Sequence, residues 1–248
     1  MIKFENCDIW GFEHALRGMR NPLESWDKSD SDCCTKWNDE NLCDHCILKD
    51  ETCYSALDDH YFFVIGPYDL ALAQRLIQAG PEHRKFLRQI MVSVDITAPL
   101  YWWKEFDTYK VGTVANSSST MHMIHTRPIT LDDFSCEHLG LFVDAFNWDE
   151  QSIDILNDVI SLLNKYRELF IKTKDRKYWW QIIQLLPSSY NQRRTVTLNY
   201  ENLRSMYFQR RNHKLDEWRI GFCGWVEDLP YSEELIMFDP KEDEDGAG

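Results

Sequence analysis

The sequence lacks the features that mark several large classes of protein. No run approaches the ~18 apolar residues that a membrane-spanning helix needs. The start, residues 1–6, lacks the basic stretch and apolar run that are typical of a secretory signal. No glycine-rich loop follows a strand pattern, so the Rossmann fingerprint and the P-loop are both absent. We therefore expect a cytoplasmic protein without a membrane span, in which any bound nucleotide is held by side chains.

The chain also has little positive charge. Its 248 residues carry a formal net charge of −14, and the acidic stretch from Asp239 to Asp245 accounts for only part of it. A body this acidic offers no basic face that could release counterions, which excludes general affinity for a nucleic-acid backbone. A small anion can still bind where a few arginines converge. Acidic tails are usually solvated, so we expect residues 239–248 to be a disordered tail.

Hydrophobic and aromatic side chains, by contrast, are plentiful. They make up 44% and 14% of the residues, which is enough to fill a core and argues against disorder. The length suits one large domain or two small ones. Residues 31–58 differ from the rest because they hold five of the eight cysteines and few aliphatic side chains. We predict one domain over residues 1–238 with a Cys-rich insertion at 31–58.

Apolar periodicity predicts an α+β protein with few strands and many helices. The helical pattern recurs in six segments, which are 67–80, 99–109, 152–170, 176–185, 199–212 and 215–226. A strand pattern occupies 86–97, where Ile90, Val92 and Val94 alternate with other residues, and a second strand is predicted at 195–198. The Ser-rich segment 113–120 has no periodicity and is predicted to be a loop.

The cysteines of the insertion have spacings that suit a metal. Four thiolates can surround Zn²⁺ tetrahedrally, and a Cys-x2-Cys pair on a tight turn supplies two of them. A segment with so little apolar content needs such a staple to fold. The candidate zinc ligands are Cys34, Cys43, Cys46 and Cys53. The alternative interpretation is a loop with incidental thiols, which stay reduced in a cytoplasmic protein.

Two arginine pairs are unusual in so acidic a chain. Arg193 and Arg194 follow Leu186-Pro187, and Arg210 and Arg211 end the helix pattern that starts at residue 199. Planar guanidinium groups bind phosphate through two-point contacts. The pairs are therefore candidate phosphate ligands, or else solvated arginines paired with the plentiful carboxylates. The hydroxyls and amides of 113–120 either line a polar pocket or form a plain surface loop.

Residues 98–120 form the first of two blocks that resemble a known family. They lie without gaps on the helix and signature loop, R-H-R-x-x-S-x-N-E-x-S-x-R, of the flavin-dependent thymidylate synthases. Lys110 keeps a positive charge of that signature and Thr113 keeps its hydroxyl. Asn116 stands where the family has the acid, and Ser118 is identical.

The second block keeps the spacing of the family over Leu186-Pro187, Arg193, Asn199 and Arg210. With His83 near the position of the family's Gly-His turn, the resemblance covers roughly residues 68–225. It implies a mixed or antiparallel sheet flanked by helices, assembled as a homotetramer. It also implies that FAD, NADPH and methylenetetrahydrofolate serve to methylate dUMP.

The resemblance assigns residues to two sides of a site. On the substrate side it places the residues that would contact dUMP, which are Arg193, Arg210, Ser118 and Asn116. On the cofactor side it places the residues that would contact FAD, which are Lys110, Thr113, His83 and Asn199. The reaction would methylate dUMP or a related pyrimidine nucleotide. Two other hypotheses are a catalytically inactive nucleotide-binding homologue and an assembly or interaction protein on the same fold.

Overall fold

A computed structural model describes residues 2–34, 62–140 and 150–239 of the chain. Its main sheet has four strands in the order β1-β4-β6-β5. A smaller antiparallel ladder is formed by β2 and β3. The strands are β1 (Lys3–Trp10), β2 (Asp32–Cys34), β3 (Phe62–Val64), β4 (Met91–Pro99), β5 (Val114–Ser117) and β6 (Asn191–Asn199).

The two central strands, β4 and β6, each have a buried and an open face. In β4 every second side chain from Val92 is buried, while the side chains between them are partly exposed. Successive strand residues point to opposite faces, so β4 presents one apolar face and one polar face. Hydrogen bonds join Thr195 to Asp95 and Thr197 to Ser93. These partner numbers change in opposite directions along the chain, so β4 and β6 run antiparallel.

Helices make up most of the remaining structure. The α-helices are α1 (Phe12–Arg20), α2 (Pro67–Ala79), α3 (Leu100–Phe106), α4 (Thr120–Met123), α5 (Glu150–Thr173), α6 (Arg176–Leu185), α7 (Tyr200–Arg210) and α8 (Cys223–Glu227). Two π-helical segments lie at Glu217–Phe222 and Ser232–Met237. None of these described helices is both long and apolar enough to cross a membrane.

The chain divides into two compact units, of which the first comprises residues 1–6 and 94–196. Helix α5 packs along α6 in this unit. Its apolar stripe of Leu156, Ile160 and Leu163 is buried against Phe134 and Ile182. Helix α3 buries a second group of aromatic rings, which consists of Trp102, Trp103 and Phe106. Burial of these apolar surfaces is the main driving force for forming this core.

The second unit comprises residues 7–93 and 197–248. Phe12 of α1 lies at its centre, with ring centroids 5.5 Å from Tyr200 and 5.7 Å from Tyr231. A buried ion pair joins α1 to α2, because Arg20 Nε donates to Asp69 Oδ1 at 2.5 Å. Edge-to-face aromatic packing and a paired buried charge both fix the mutual orientation of these elements.

The predicted α+β class with a sheet flanked by helices is confirmed. Five of the six predicted helices match within a few residues, and the sixth, 215–226, is a π-helix followed by α8. Residues 84–89 form a 3₁₀ helix, so the predicted strand at 86–97 begins only at Met91. The predicted loop at 113–120 contains strand β5. The boundaries predicted at 1–238 and 239–248 stay predictions.

Candidate functional site

Two neighbouring arginines on β6 have different surroundings because successive strand residues face opposite ways. The Arg194 side chain is only 15% exposed, and its guanidinium carbon lies 4.2 Å from the Trp103 ring centroid. Its Nη1 donates to Asp107 Oδ1 at 2.6 Å. Arg193, on the other face, is 48% exposed. Only Arg193 of this pair is therefore placed to meet a ligand from solvent.

A carboxylate holds Arg193 on the open face. Arg193 Nη2 donates to Asp95 Oδ2 at 2.7 Å, and Nη1 lies 3.7 Å from Glu5 Oε2. Asp95 also accepts hydrogen bonds from the Thr195 hydroxyl and, at 2.9 Å, from Asn6 Nδ2. Hydrogen bonds from Thr195, Asn6 and Arg193 hold the pKa of Asp95 well below its usual range. The carboxylate thus stays charged at neutral pH.

Strand β5 brings two further predicted residues beside Arg193. The backbone N–H of Ser118 donates to the Arg193 carbonyl at 2.9 Å. Gln192 Nε2 donates to the Ser118 carbonyl at 2.9 Å, which fastens this end of β5 to β6. Asn116 on β5 and Ser118, which follows the last residue of β5, are both exposed. The structure therefore joins the backbones of Ser118 and Arg193 and places Asn116 two residues before Ser118, while the roles assigned to all three stay predictions.

Lys110 and Thr113, assigned to the flavin side, lie in the turn between α3 and β5. The Lys110 side chain is exposed, whereas Thr113 is partly buried. The Thr113 hydroxyl donates to the carbonyl of Tyr109, so it is already engaged within the turn. The turn thus offers one cation, Lys110, at its surface.

The remaining predicted residues of the nucleotide and flavin sides lie in the second unit. The Arg210 guanidinium carbon lies 4.6 Å from the Trp218 ring centroid, which is a cation–π distance. Asn199 is buried and caps α7, because its Oδ1 accepts from the backbone N–H of Asn202 at 3.0 Å. His83 lines a cleft of about 830 Å³ together with Lys85 and Arg88. The roles assigned to Arg210, Asn199 and His83 stay predictions.

The predicted zinc site lies almost entirely outside the described residues. Cys34 ends β2, where it pairs with Phe62 of β3. Cys43, Cys46 and Cys53 fall in residues 35–61, outside the described part. Within residues 2–34, 62–140 and 150–239, no group of three or more His, Cys, Asp or Glu side chains could hold a metal ion.

Asp95 is the member of this constellation that the sequence did not reveal. It lies on β4 between Val94 and Ile96, and the alternation there indicates only a polar strand face. Its partners are remote in sequence, since Arg193 is 98 residues away and Asn6 is 89 away. The sequence shows Asp95 only as a single acid in an otherwise neutral strand, directly before helix α3.

Several solved structures share this architecture. Thymidylate synthase X from Helicobacter pylori, in complex with FAD and dUMP, matches with a TM-score of 0.60 and 13% identity over 95% of this chain and 97% of that one. The UMP/dUMP methylase PolB from Streptomyces cacaoi, bound to 5-Br UMP, matches with a TM-score of 0.55 and 12% identity over 96% and 94%. Its complex with 5-Br dUMP gives 0.56 and 14% over 96% and 95%.

Comparison by sequence alone detects none of this likeness. No protein-family model matches the chain. No curated protein matches it either. The shared architecture covers nearly the whole of both chains. At 12–13% sequence identity, this likeness shows that the fold is shared and nothing beyond it. The chain therefore has the fold of thymidylate synthase X and of the UMP/dUMP methylase.

Proposed function

We propose that the chain binds a pyrimidine nucleoside monophosphate, such as dUMP or UMP, with Arg193 as a ligand of the phosphate. The observation that supports this is the half-exposed guanidinium of Arg193 on an open sheet face, in a residue whose backbone carbonyl accepts from the N–H of Ser118. A cation kept accessible in a chain of net charge −14 suits a small anion rather than a polyanion. The solved structures with this fold support the choice of ligand, since they hold dUMP or 5-brominated UMP and dUMP.

The three neighbouring residues would divide the recognition between them. Arg193 would donate charge-assisted hydrogen bonds to phosphate oxygens, which are the strong contacts of such a site. Asn116 and Ser118 both donate and accept hydrogen bonds, as the polar edge of a pyrimidine or a ribose requires. Arg210 is proposed as a second cation for the nucleotide. This proposal is based on the family resemblance, and not on contacts in the structure.

The flavin side fits less well than the nucleotide side. The Thr113 hydroxyl is bound to the Tyr109 carbonyl, and the buried Asn199 amide oxygen is bound to a helix N–H. Lys110 is the one exposed cation of the turn, so an FAD phosphate would have a single charged partner there. We derive no redox step from these residues.

Methylation of the nucleotide is the second candidate function. It is favoured by the activities of the compared proteins, a thymidylate synthase and a UMP/dUMP methylase. It would need FAD as redox cofactor, with NADPH and methylenetetrahydrofolate as further partners. Absorbance of the purified protein tests this candidate, because bound flavin is yellow. A colourless protein that FAD does not stabilise, and dUMP does, would leave a nucleotide-binding homologue without that chemistry.

Binding of dUMP is the decisive measurement, made by isothermal titration on the full chain. We expect Arg193→Ala to lose affinity for dUMP by roughly 10- to 100-fold, because a hydrogen bond to a charged group is lost. Arg127→Ala is the matched control, since Arg127 is an exposed arginine paired with Asp133 in the same unit. Unchanged dUMP affinity in Arg193→Ala would refute the phosphate assignment.

Two structural proposals accompany this function. The first is assembly as a homotetramer, for which analytical ultracentrifugation gives the mass directly. The second is a structural zinc held by Cys34, Cys43, Cys46 and Cys53. Metal analysis of protein purified without chelator should find about one Zn²⁺ per chain, and a value well below this would remove the zinc proposal. Loss of stability on treatment with a chelator would support it.

A further inference from the structure

We infer that Asp95 is a positioning residue for nucleotide binding, which holds the Arg193 guanidinium in place on the open sheet face. The inference rests on the proposed function, because it concerns the same arginine. Asp95 itself makes no contact with the ligand in this scheme. It acts through Arg193, because its Oδ2 accepts a hydrogen bond from Arg193 Nη2 at 2.7 Å.

The Asp95 carboxylate is fixed from both sides. Oδ1 accepts from the hydroxyl of Thr195 on β6, and Oδ2 accepts from the amide of Asn6 on β1 at 2.9 Å. The side chain is only 16% exposed, whereas its partner Arg193 is 48% exposed. A carboxylate held by strands on either side cannot follow a mobile arginine. The arginine is therefore held by the carboxylate, and not the reverse.

This attachment leaves part of the guanidinium open. The contacts to carboxylates involve Nη2 and Nη1, the latter 3.7 Å from Glu5. Among the described residues, Nε of Arg193 has no hydrogen-bond partner. Nε can thus donate a charge-assisted hydrogen bond to a phosphate oxygen while Nη2 stays bound to Asp95.

Two opposing effects of Asp95 must be separated. Ordering a long side chain before binding improves affinity by roughly two- to tenfold, since its rotamer entropy is lost in advance. The negative charge of Asp95 repels an incoming phosphate, although solvent screens charges at such exposed positions. Asp95→Ala removes both effects. Asp95→Asn removes the charge and keeps an oxygen that can accept from Arg193.

The test is isothermal titration of the full chain with dUMP and with deoxyuridine, which lacks the phosphate. We expect Asp95→Ala to weaken dUMP binding by roughly two- to tenfold and to leave deoxyuridine binding unchanged. Asp95→Asn should bind dUMP at least as tightly as the unmodified chain. Ser93→Ala, on the same face of β4, is the matched control and should bind as the unmodified chain does, because the Ser93 hydroxyl accepts from Thr197.

The outcomes distinguish the inference from the proposed function. Unchanged dUMP affinity in Arg193→Ala refutes the phosphate assignment of Arg193 and the inference together, and absence of dUMP binding by the unmodified chain refutes the proposed function. Weaker binding by Arg193→Ala, combined with equal or tighter binding by Asp95→Ala, refutes the inference alone. Tighter binding would in addition identify Asp95 as a competitor of the phosphate. If Asp95→Ala does not fold, Thr195→Val replaces it, since this change removes one anchor of the carboxylate. It should weaken dUMP binding to a smaller extent, and unchanged binding would refute the inference.

Discussion

Two Arg–Asp ion pairs in this chain have the same chemistry and opposite surroundings. Arg20 and Asp69, in the second unit, are 4% and 0% exposed. Arg193 and Asp95, in the first unit, are 48% and 16% exposed. The buried pair lies between helices and is surrounded by protein donors. The exposed pair lies on an open sheet face with one edge of its arginine available.

The two pairs differ in what surrounds the carboxylate. Asp69 accepts from the hydroxyls of Ser29 and Ser31 at 2.7 and 2.6 Å in addition to Arg20. Both oxygens of this carboxylate thus accept hydrogen bonds within the protein, which indicates a role in structure. Exposed pairs contribute little to stability because solvent screens them. For the exposed pair, whose carboxylate is nevertheless fixed, we propose a role in binding instead.

Breaking the buried pair should have the largest effect. Arg20→Ala leaves the Asp69 charge buried without its cation, and removal of one partner from such a pair costs about 3–5 kcal/mol of unfolding free energy. Chemical denaturation measures this directly. Arg17→Ala, a neighbouring arginine of α1 whose hydrogen bond to His14 is exposed, is the control. A loss below about 1 kcal/mol, the range of surface pairs, would remove the contrast between the two pairs.

Acid should weaken the buried pair. Burial raises the pKa of Asp69, but hydrogen bonds from Ser29, Ser31 and Arg20 outweigh it, and the net pKa is lowered from the ordinary 3.8. A lowered folded-state pKa contributes stability that is present above the unfolded pKa. That stability is lost as the pH falls below about 3.8 towards the folded pKa. The unfolding free energy, measured by denaturation at several pH values in this range, should depend less steeply on pH in Asp69→Asn than in the unmodified chain. An unchanged slope would contradict this.

Breaking the exposed pair should affect binding and leave stability unchanged. Arg193→Ala is expected to keep the thermal midpoint of the unmodified chain, because its side chain is half exposed and the Asp95 carboxylate can be solvated. The same variant should lose affinity for dUMP by roughly 10- to 100-fold. Differential scanning fluorimetry with and without dUMP measures both. A lowered midpoint without nucleotide would indicate that this pair, too, is structural.

Asn199 provides the smallest test, because it carries both a structural contact and a predicted flavin contact. Asn199→Ala removes the cap of α7 and should cost about 1 kcal/mol. Asn199→Asp keeps a capping oxygen and should restore the stability. If Asn199→Asp is stable and yet alters flavin absorbance of the chain, the resemblance is right about Asn199. If Asn199→Ala is as stable as the unmodified chain, the capping contact does not contribute to the unfolding free energy.

The long regular elements could be predicted from the sequence, whereas those that depend on remote partners could not. Helix α5 was predicted at 152–170 and spans Glu150–Thr173, because its apolar stripe repeats over many turns. Strand β5 was predicted as loop, since its exposed residues carry no pattern and its extended form depends on pairing with β6. The π-helices at Glu217–Phe222 and Ser232–Met237 add a residue to a turn, which periodicity does not show.

The candidate site divides in the same way. The family resemblance assigned Arg193 and Ser118 to the nucleotide, and the structure joins their backbones by a hydrogen bond. The pair of arginines by itself gave no physical reason to prefer Arg193 over Arg194, because the alternation that turns Arg194 onto Trp103 exists only once β6 is formed. Asp95 could not be found at all, since its role depends on contacts across three strands.

The short ladder of β2 and β3 has a consequence for engineering the chain. Its register pairs Asp32 with Val64 and Cys34 with Phe62, so the residues on either side of 35–61 are already brought together by the fold. The entropy of closing a loop changes only slowly with its length, by about 0.6 kcal/mol for each doubling. Replacement of 35–61 by a two-residue Asn-Gly hairpin turn should therefore yield a shorter chain that still folds. The turn between β2 and β3 would then serve as a site where other sequences can be inserted.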